Sequence, residues 1–134
     1  MINIKVSLLL FYMEFEEFEK VVNKISRDIP EEYRKILRDE DIEILCREHV
    51  PAGVRHQFPR KIIFGLFSGI PKNKKRTLSV HTQPTRIEIY KDSFERVFGG
   101  EINSEMKEQI YRTLVHEIAH YFGFNEEEVR ERGY

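Results

Sequence analysis

From Glu14 to Ile25 the apolar residues Phe15, Phe18, Val21, Val22 and Ile25 recur at intervals of three and four, with acids early and lysines late. That spacing puts them on one face of a helix and sets the charges favourably against its dipole. A second helix is expected to open at Pro30 in its first turn, to carry Tyr33, Ile36 and Leu37 inwards, and to stop in the Arg38-Asp39-Glu40-Asp41 run. The period then changes. Ile42 to Cys46 reads as a strand, and residues 47–60, with Pro51, Gly53 and Pro59, read as an irregular connection of a length associated with function or mobility. Lys61 to Phe67 is apolar and aromatic enough for a strand, closed by Ser68-Gly69-Ile70-Pro71. Thr77 to His81 and Arg86 to Tyr90 alternate as two further strands flanking a Gln83-Pro84 turn. After the Gly99-Gly100 break, Ser104 to Val115 lacks Gly and Pro and reads as a helix, with Asn103 or Ser104 as its N-cap. Two helices, then three or four strands, then a long helix predict an α+β domain.

Composition narrows the class. A chain of 134 residues is one domain, and 40% hydrophobic with 34% charged residues fits a globular protein with a charged surface. The formal net charge of −1 gives no overall attraction to nucleic acid or to an anionic membrane. Lys72, Lys74, Lys75 and Arg76 form a basic loop, but no aromatics interleave with them, so a solvated loop is expected rather than a nucleic-acid platform. Cys46, the single cysteine, excludes an internal disulfide and suits a reducing, cytoplasmic setting. No stretch approaches the roughly 20 apolar residues of a membrane-spanning helix. The opening MINIKVSLLLFYM carries a Lys and a short apolar run, yet it lacks a small-residue cleavage site and runs straight into EFEEFEK. Residues 1–12 are therefore expected to form a strand or extension before a domain at 13–134, with Met13 an alternative start.

The chemistry concentrates in His116-Glu117-Ile118-Ala119-His120. Four steps of about 100° bring His120 to within about 40° of His116 on the helix, so one metal ion can accept a nitrogen from each. Glu117, one step round, falls beside that ion, where a general base belongs. An HExxH string also arises by chance. Here the wheel distinguishes the two cases: with His116 at zero, Leu114, Ile118, Tyr111, Phe122 and Val115 fall at roughly 160° to 260°, opposite the histidines. A helix packed on its back with both histidines forward is what a metal site needs.

Gly123 and Glu126 extend the pattern. A glycine three residues past His120 can take positive φ, end the helix and swing Glu126 back towards the histidines as a third ligand. Two other readings stand beside that one. Asn125 or water can fill the position, or Glu126, Glu127 and Glu128 simply open a short solvated helix in which acids favour the first turn.

The HExxHxxGxx(D/E) pattern is similar to the metzincin arrangement of zinc peptidases. From about Met13 to Tyr134 the chain resembles the zincin-like metallopeptidase family with a minimal matrix-metalloprotease-like fold. The resemblance is carried by FEEFEKVVNKI, DIPEEYRKIL, GLFSGIP at 65–71, PTRIEIY at 84–90 and TLVHEIAHYFGFNEEEVRERGY at 113–134. It implies a small mixed sheet with the metal helix behind it, zinc as cofactor, His116, His120 and Glu126 as ligands, and Glu117 as the catalytic carboxylate. Glu stands at 126 where Asp is more usual. The methionine turn of the larger metzincins is missing, since Met1, Met13 and Met106 all precede the motif. The eight residues after Glu126 leave no room for that turn, for a deep specificity pocket, or for the downstream ligand helix of a gluzincin.

The function expected is zinc-dependent hydrolysis of a peptide or protein substrate, with water activated by zinc and Glu117 as general base. An extended substrate is expected along a strand edge, KIIFGLF or LSVHTQ, with Tyr121, Tyr90 or His81 as possible helpers at the oxyanion and His56 within reach of the cleft. His49 is expected to be solvated. The alternative is a zinc-binding module that holds a peptide or protein partner without turnover. Hydrolysis of a nucleic acid is disfavoured because paired carboxylates are lacking. Nothing in the pattern specifies the cleaved sequence or an oligomeric state.

Overall fold

A computed structural model describes residues 13–69, 85–121 and 123–133. In chain order these form α1 (Phe15–Ser26), α2 (Glu31–Asp39), β1 (Glu43–Arg47), α3 (Ala52–Gln57), β2 (Gly65–Ser68), β3 (Arg86–Tyr90), α4 (Lys91–Phe98), α5 (Ser104–Tyr121) and α6 (Glu126–Glu131). The α+β class expected from the sequence is the one observed. The anticipated segment 1–12, the Thr77–His81 strand, the Gln83-Pro84 turn and the basic loop lie outside the described residues.

The sheet has the order β1-β3-β2, with β3 parallel to β1 and antiparallel to β2. Ile44 and Cys46 of β1 stand opposite Ile87 and Ile89 of β3, so their side chains share one face. That face joins Phe18, Val22 and Ile25 of α1 and Met106, Ile110, Leu114 and Ile118 of α5 in a single core. On the other face Glu88 is buried and accepts from Arg47 Nε at 2.8 Å and from the Tyr90 hydroxyl at 2.9 Å, which satisfies a carboxylate that burial alone would penalise. Cys46 is free, and burial pushes its thiol up to about 12.

Helices α1 and α2 follow the apolar spacing, with Pro30 at the N-cap of α2. Three segments depart from it. The 47–60 connection contains α3, a helix with no buried residue and hence no apolar period to reveal it. The 61–67 run is a strand only over Gly65–Ser68: the Ile63 carbonyl accepts from the Ser93 hydroxyl at 2.6 Å instead of joining a ladder, and Ile62 is exposed. Helix α4 follows β3 directly and was not expected. It buries Phe94 against Phe18 and Phe64, with ring centroids 5.5 and 4.7 Å apart, and its first residue, Lys91, is buried in an ion pair with Glu48 and Glu95.

One contact fixes where α5 meets the sheet. A Cβ at Gly65 would lie 2.7 Å from the Glu88 carbonyl and 2.8 Å from Thr113 Cγ2, so only glycine lets β2 approach both β3 and α5 this closely.

Candidate metal centre and active site

Helix α5 starts at Asn103, whose Oδ1 accepts from Met106 N at 2.9 Å, which settles the cap in favour of Asn103 over Ser104. The buried side of α5 is wider than the arc read from the sequence. It includes Leu114, Val115 and Ile118 as expected, but also Thr113, Glu117 and Ala119, while Tyr111 is only partly buried. Nothing is described of the Phe122 side chain. His116 and His120 remain on the partly exposed side with ring centroids 4.7 Å apart.

The chain leaves α5 through Gly123 at φ +85°. Gly123 N donates to the His120 carbonyl at 2.8 Å and Phe124 N to the Ala119 carbonyl at 3.2 Å, the paired bonds of a Schellman turn. Asn125 then caps α6: its side chain accepts from Glu128 N at 2.9 Å, and the Glu128 carboxylate accepts from Asn125 N at 3.4 Å. Asn125 is thereby committed to the cap and is not in the ligand cluster. Glu126 is the first residue of α6, and its Oε1 lies 3.0 Å from His116 Nε2 and 3.3 Å from His120 Nε2. The short acidic helix and the approach of Glu126 to both histidines therefore coexist in one turn.

His116, His120 and Glu126 offer one ligand atom each, all within 4.8 Å of one another. Two ligands bonded at about 2 Å to one tetrahedral ion sit roughly 3.3 Å apart, so the donor set and its spacing fit zinc. Burial works to raise the pKa of Glu126, but the hydrogen bond to His116 and the charge of both histidines outweigh it and hold the carboxyl below its usual range. Glu117 is in the opposite situation. Burial pushes its carboxyl up to about 7 against the hydrogen bond that Phe67 N donates to its Oε2 at 2.9 Å.

That bond places Glu117 on the side of β2 away from β3, an edge among the described residues. Tyr90 N donates to the Phe64 carbonyl at 2.9 Å, so by antiparallel alternation Phe64, Leu66 and Ser68 face β3, and Gly65 and Phe67 face away from it. Two clefts meet at Gly65 and Glu117. One, of about 320 Å³, is lined by Ile62, Phe64, Gln109, Arg112, Thr113 and His116; the other, of about 510 Å³, by Phe58, Lys61, Leu66, Phe67, His120 and Glu126. Outside the motif, the lining residues between Lys61 and Phe67 belong to the KIIFGLF run expected as a substrate edge, whereas Phe58, Gln109 and Arg112 were not singled out from the sequence. Gly65, a glycine inside a strand run, was the visible signal.

The other sequence candidates go elsewhere. The Tyr121 hydroxyl donates to Glu40 Oε2 at 2.9 Å and Tyr90 donates to Glu88, and both rings are buried, so neither is disposed as an oxyanion helper. His49 is exposed beside Asp92, at 3.4 Å, as expected for a solvated residue. His56 is exposed on α3 and lines neither cleft, and His81 lies outside the described residues.

No curated protein matches the chain. A family model does, over residues 40–134, which span β1 through α6 and so contain the sheet, both clefts and the whole motif. A match over that share of the chain, on a fold that brings two histidines of its long helix together with a glutamate of the next, identifies this protein as a member of the zincin-like metallopeptidase family.

Proposed function

We propose that this protein is a zinc-dependent peptidase in which His116, His120 and Glu126 hold the ion and Glu117 is the general base. The observation that supports it best is the convergence of Glu126 on both histidines, across a helix end, beside a carboxyl whose pKa lies near neutrality. Zinc bound there would polarise a peptide carbonyl and acidify a water molecule. Glu117 would take the proton from that water and return it to the leaving amine, a role suited to a carboxyl that burial pushes up to about 7. Phe67 N–H fixes one oxygen of Glu117; the other has no protein hydrogen bond among the described residues and is the one that exchanges the proton. The substrate lies extended along β2, where Gly65 and the Phe67 carbonyl present backbone groups outward, and borrows hydrogen bonds from that edge. Cys46, buried and unpaired, is compatible with a reducing, cytoplasmic setting, and among the described residues no helix is long and apolar enough to cross a membrane.

Glu117→Gln tests the reading, because it keeps the shape and removes the base. Zinc content should stay equal to wild type, while cleavage of a diverse peptide library falls by about two orders of magnitude or more. Wild-type protein with zinc bound that cuts nothing in the library would replace the peptidase by a zinc-dependent peptide-binding module.

A further inference from the structure

Strand β2 and helix α5 run in the same sense. Gly65 lies against Thr113, and two residues on Phe67 reaches Glu117 and stacks near Tyr121, with centroids 5.6 Å apart. A peptide pairing antiparallel to β2, the more stable of the two pairings, therefore runs against α5. Its N-terminal residues lie by Leu66, Phe67 and His120, and its C-terminal residues lie by Gly65, Gln109 and Arg112. These ends differ in chemistry. Phe58, Leu66 and Phe67 make the first largely apolar, whereas Gln109, Arg112 and Thr113 make the second polar and cationic.

We propose that the cleft selects peptides with an apolar residue before the cleaved bond and a carboxylate after it, the carboxylate being bound by Arg112. This rests on the peptidase reading and names its substrate class. The Arg112 guanidinium lies 2.9 Å from Glu108 one turn back on its own helix, with the two side chains 59% and 64% exposed. An exposed pair of this kind contributes little, so the guanidinium can exchange Glu108 for a ligand carboxylate at small cost. Its planar fork matches a carboxylate in a bidentate arrangement. An Asp or Glu side chain and a free C-terminus offer the same group. Lys61 stands exposed at the apolar end and would favour a carboxylate after the cleaved bond only if the peptide ran the other way.

The test uses the zinc-loaded full chain and short peptides with Leu before the cleaved bond and Glu, Gln or Lys after it, each with a free or amidated C-terminus. Glu over Gln should gain about five- to tenfold in kcat/KM, the range between an exposed ion pair and a charge-assisted hydrogen bond. Arg112→Gln should bring that ratio near one, Arg112→Glu should turn the preference to Lys, and Glu108→Gln should raise the preference for Glu. A gain on the free C-terminus rather than on the Glu side chain would assign the carboxylate to the chain end. An unchanged ratio in Arg112→Gln, or a preference before the bond that Lys61→Gln abolishes, overturns the proposal. Loss of the peptidase reading is distinguishable. If no peptide is cut, binding of the same set to Glu117→Gln still reports the carboxylate preference, and equal affinity for the acid and neutral peptides overturns it.

Discussion

Glu126 and Glu117 are both glutamates of one motif, and their surroundings drive them apart. Glu126 is 62% exposed yet lies against two histidines, which keep it ionised; Glu117 is buried against the sheet, which favours its neutral form up to about pH 7. Carboxyls separated in this way suit different work, an anionic ligand and a proton carrier. The neighbouring Glu127 and Glu128 give an internal control, since Glu128 closes the capping box and Glu127 is exposed outside the cluster. Glu126→Ala is expected to weaken zinc binding by more than the roughly 10- to 100-fold that loss of an outer-shell partner costs, while Glu127→Ala leaves it near wild type. Competitive titration with a zinc chelator measures both, and equal affinities in the two variants would remove Glu126 from the site. That Glu126 can reach the histidines was legible in the string, because the turn is local. The burial of Glu117 was not, because it depends on Phe67, 50 residues earlier.

Helix ends set the geometry that these residues exploit. Helix α2 closes with the same pair of bonds as α5, Asp41 N to the Arg38 carbonyl and Ile42 N to the Leu37 carbonyl, with Asp41 at φ +50°. A short polar residue is thus tolerated in the left-handed region in this fold, as its local hydrogen bonding allows, whereas a β-branched side chain is strained there. Gly123 should follow the same rule. Gly123→Asn is expected to retain zinc, and Gly123→Val to lose roughly 1–2 kcal/mol of stability and much of its zinc affinity as Glu126 swings out. Thermal unfolding with and without zinc separates the two effects, and a Gly123→Val protein that binds zinc like wild type would show that the turn does not position the ligand. At this scale α1, α2, β1, β3 and α5 followed their periodicity closely. The elements missed were short ones, α3 with nothing buried and α4 with a buried lysine where an apolar residue would have been read.

Among the described residues the molecule is a three-stranded sheet backed by helices, with the histidine face of α5 turned to the clefts beside β2. The family match starts at residue 40, yet Phe18, Val22 and Ile25 of α1 pack in the same core as α5, so the helices before the matched region support α5. Met13 is buried in that core. Deleting residues 1–12 is therefore expected to leave folding and zinc content unchanged, as read by thermal unfolding and metal analysis. A folded truncation that has lost zinc would make that segment part of the site. What the sequence alone carried was whatever repeats over one or two turns of chain: the α+β order, the two histidines on one helical face, the glycine that ends the helix and the acid just beyond it. Those depend on about 100° per residue and on one positive φ, which are properties of neighbouring residues. Long-range packing decided the rest. It set Gly65 against Thr113, turned the Phe67 N–H onto Glu117, and gave the cleft one apolar and one cationic end. A carboxyl's surroundings and a strand's outer edge exist only once distant segments exclude water together, so no period along the chain announces them.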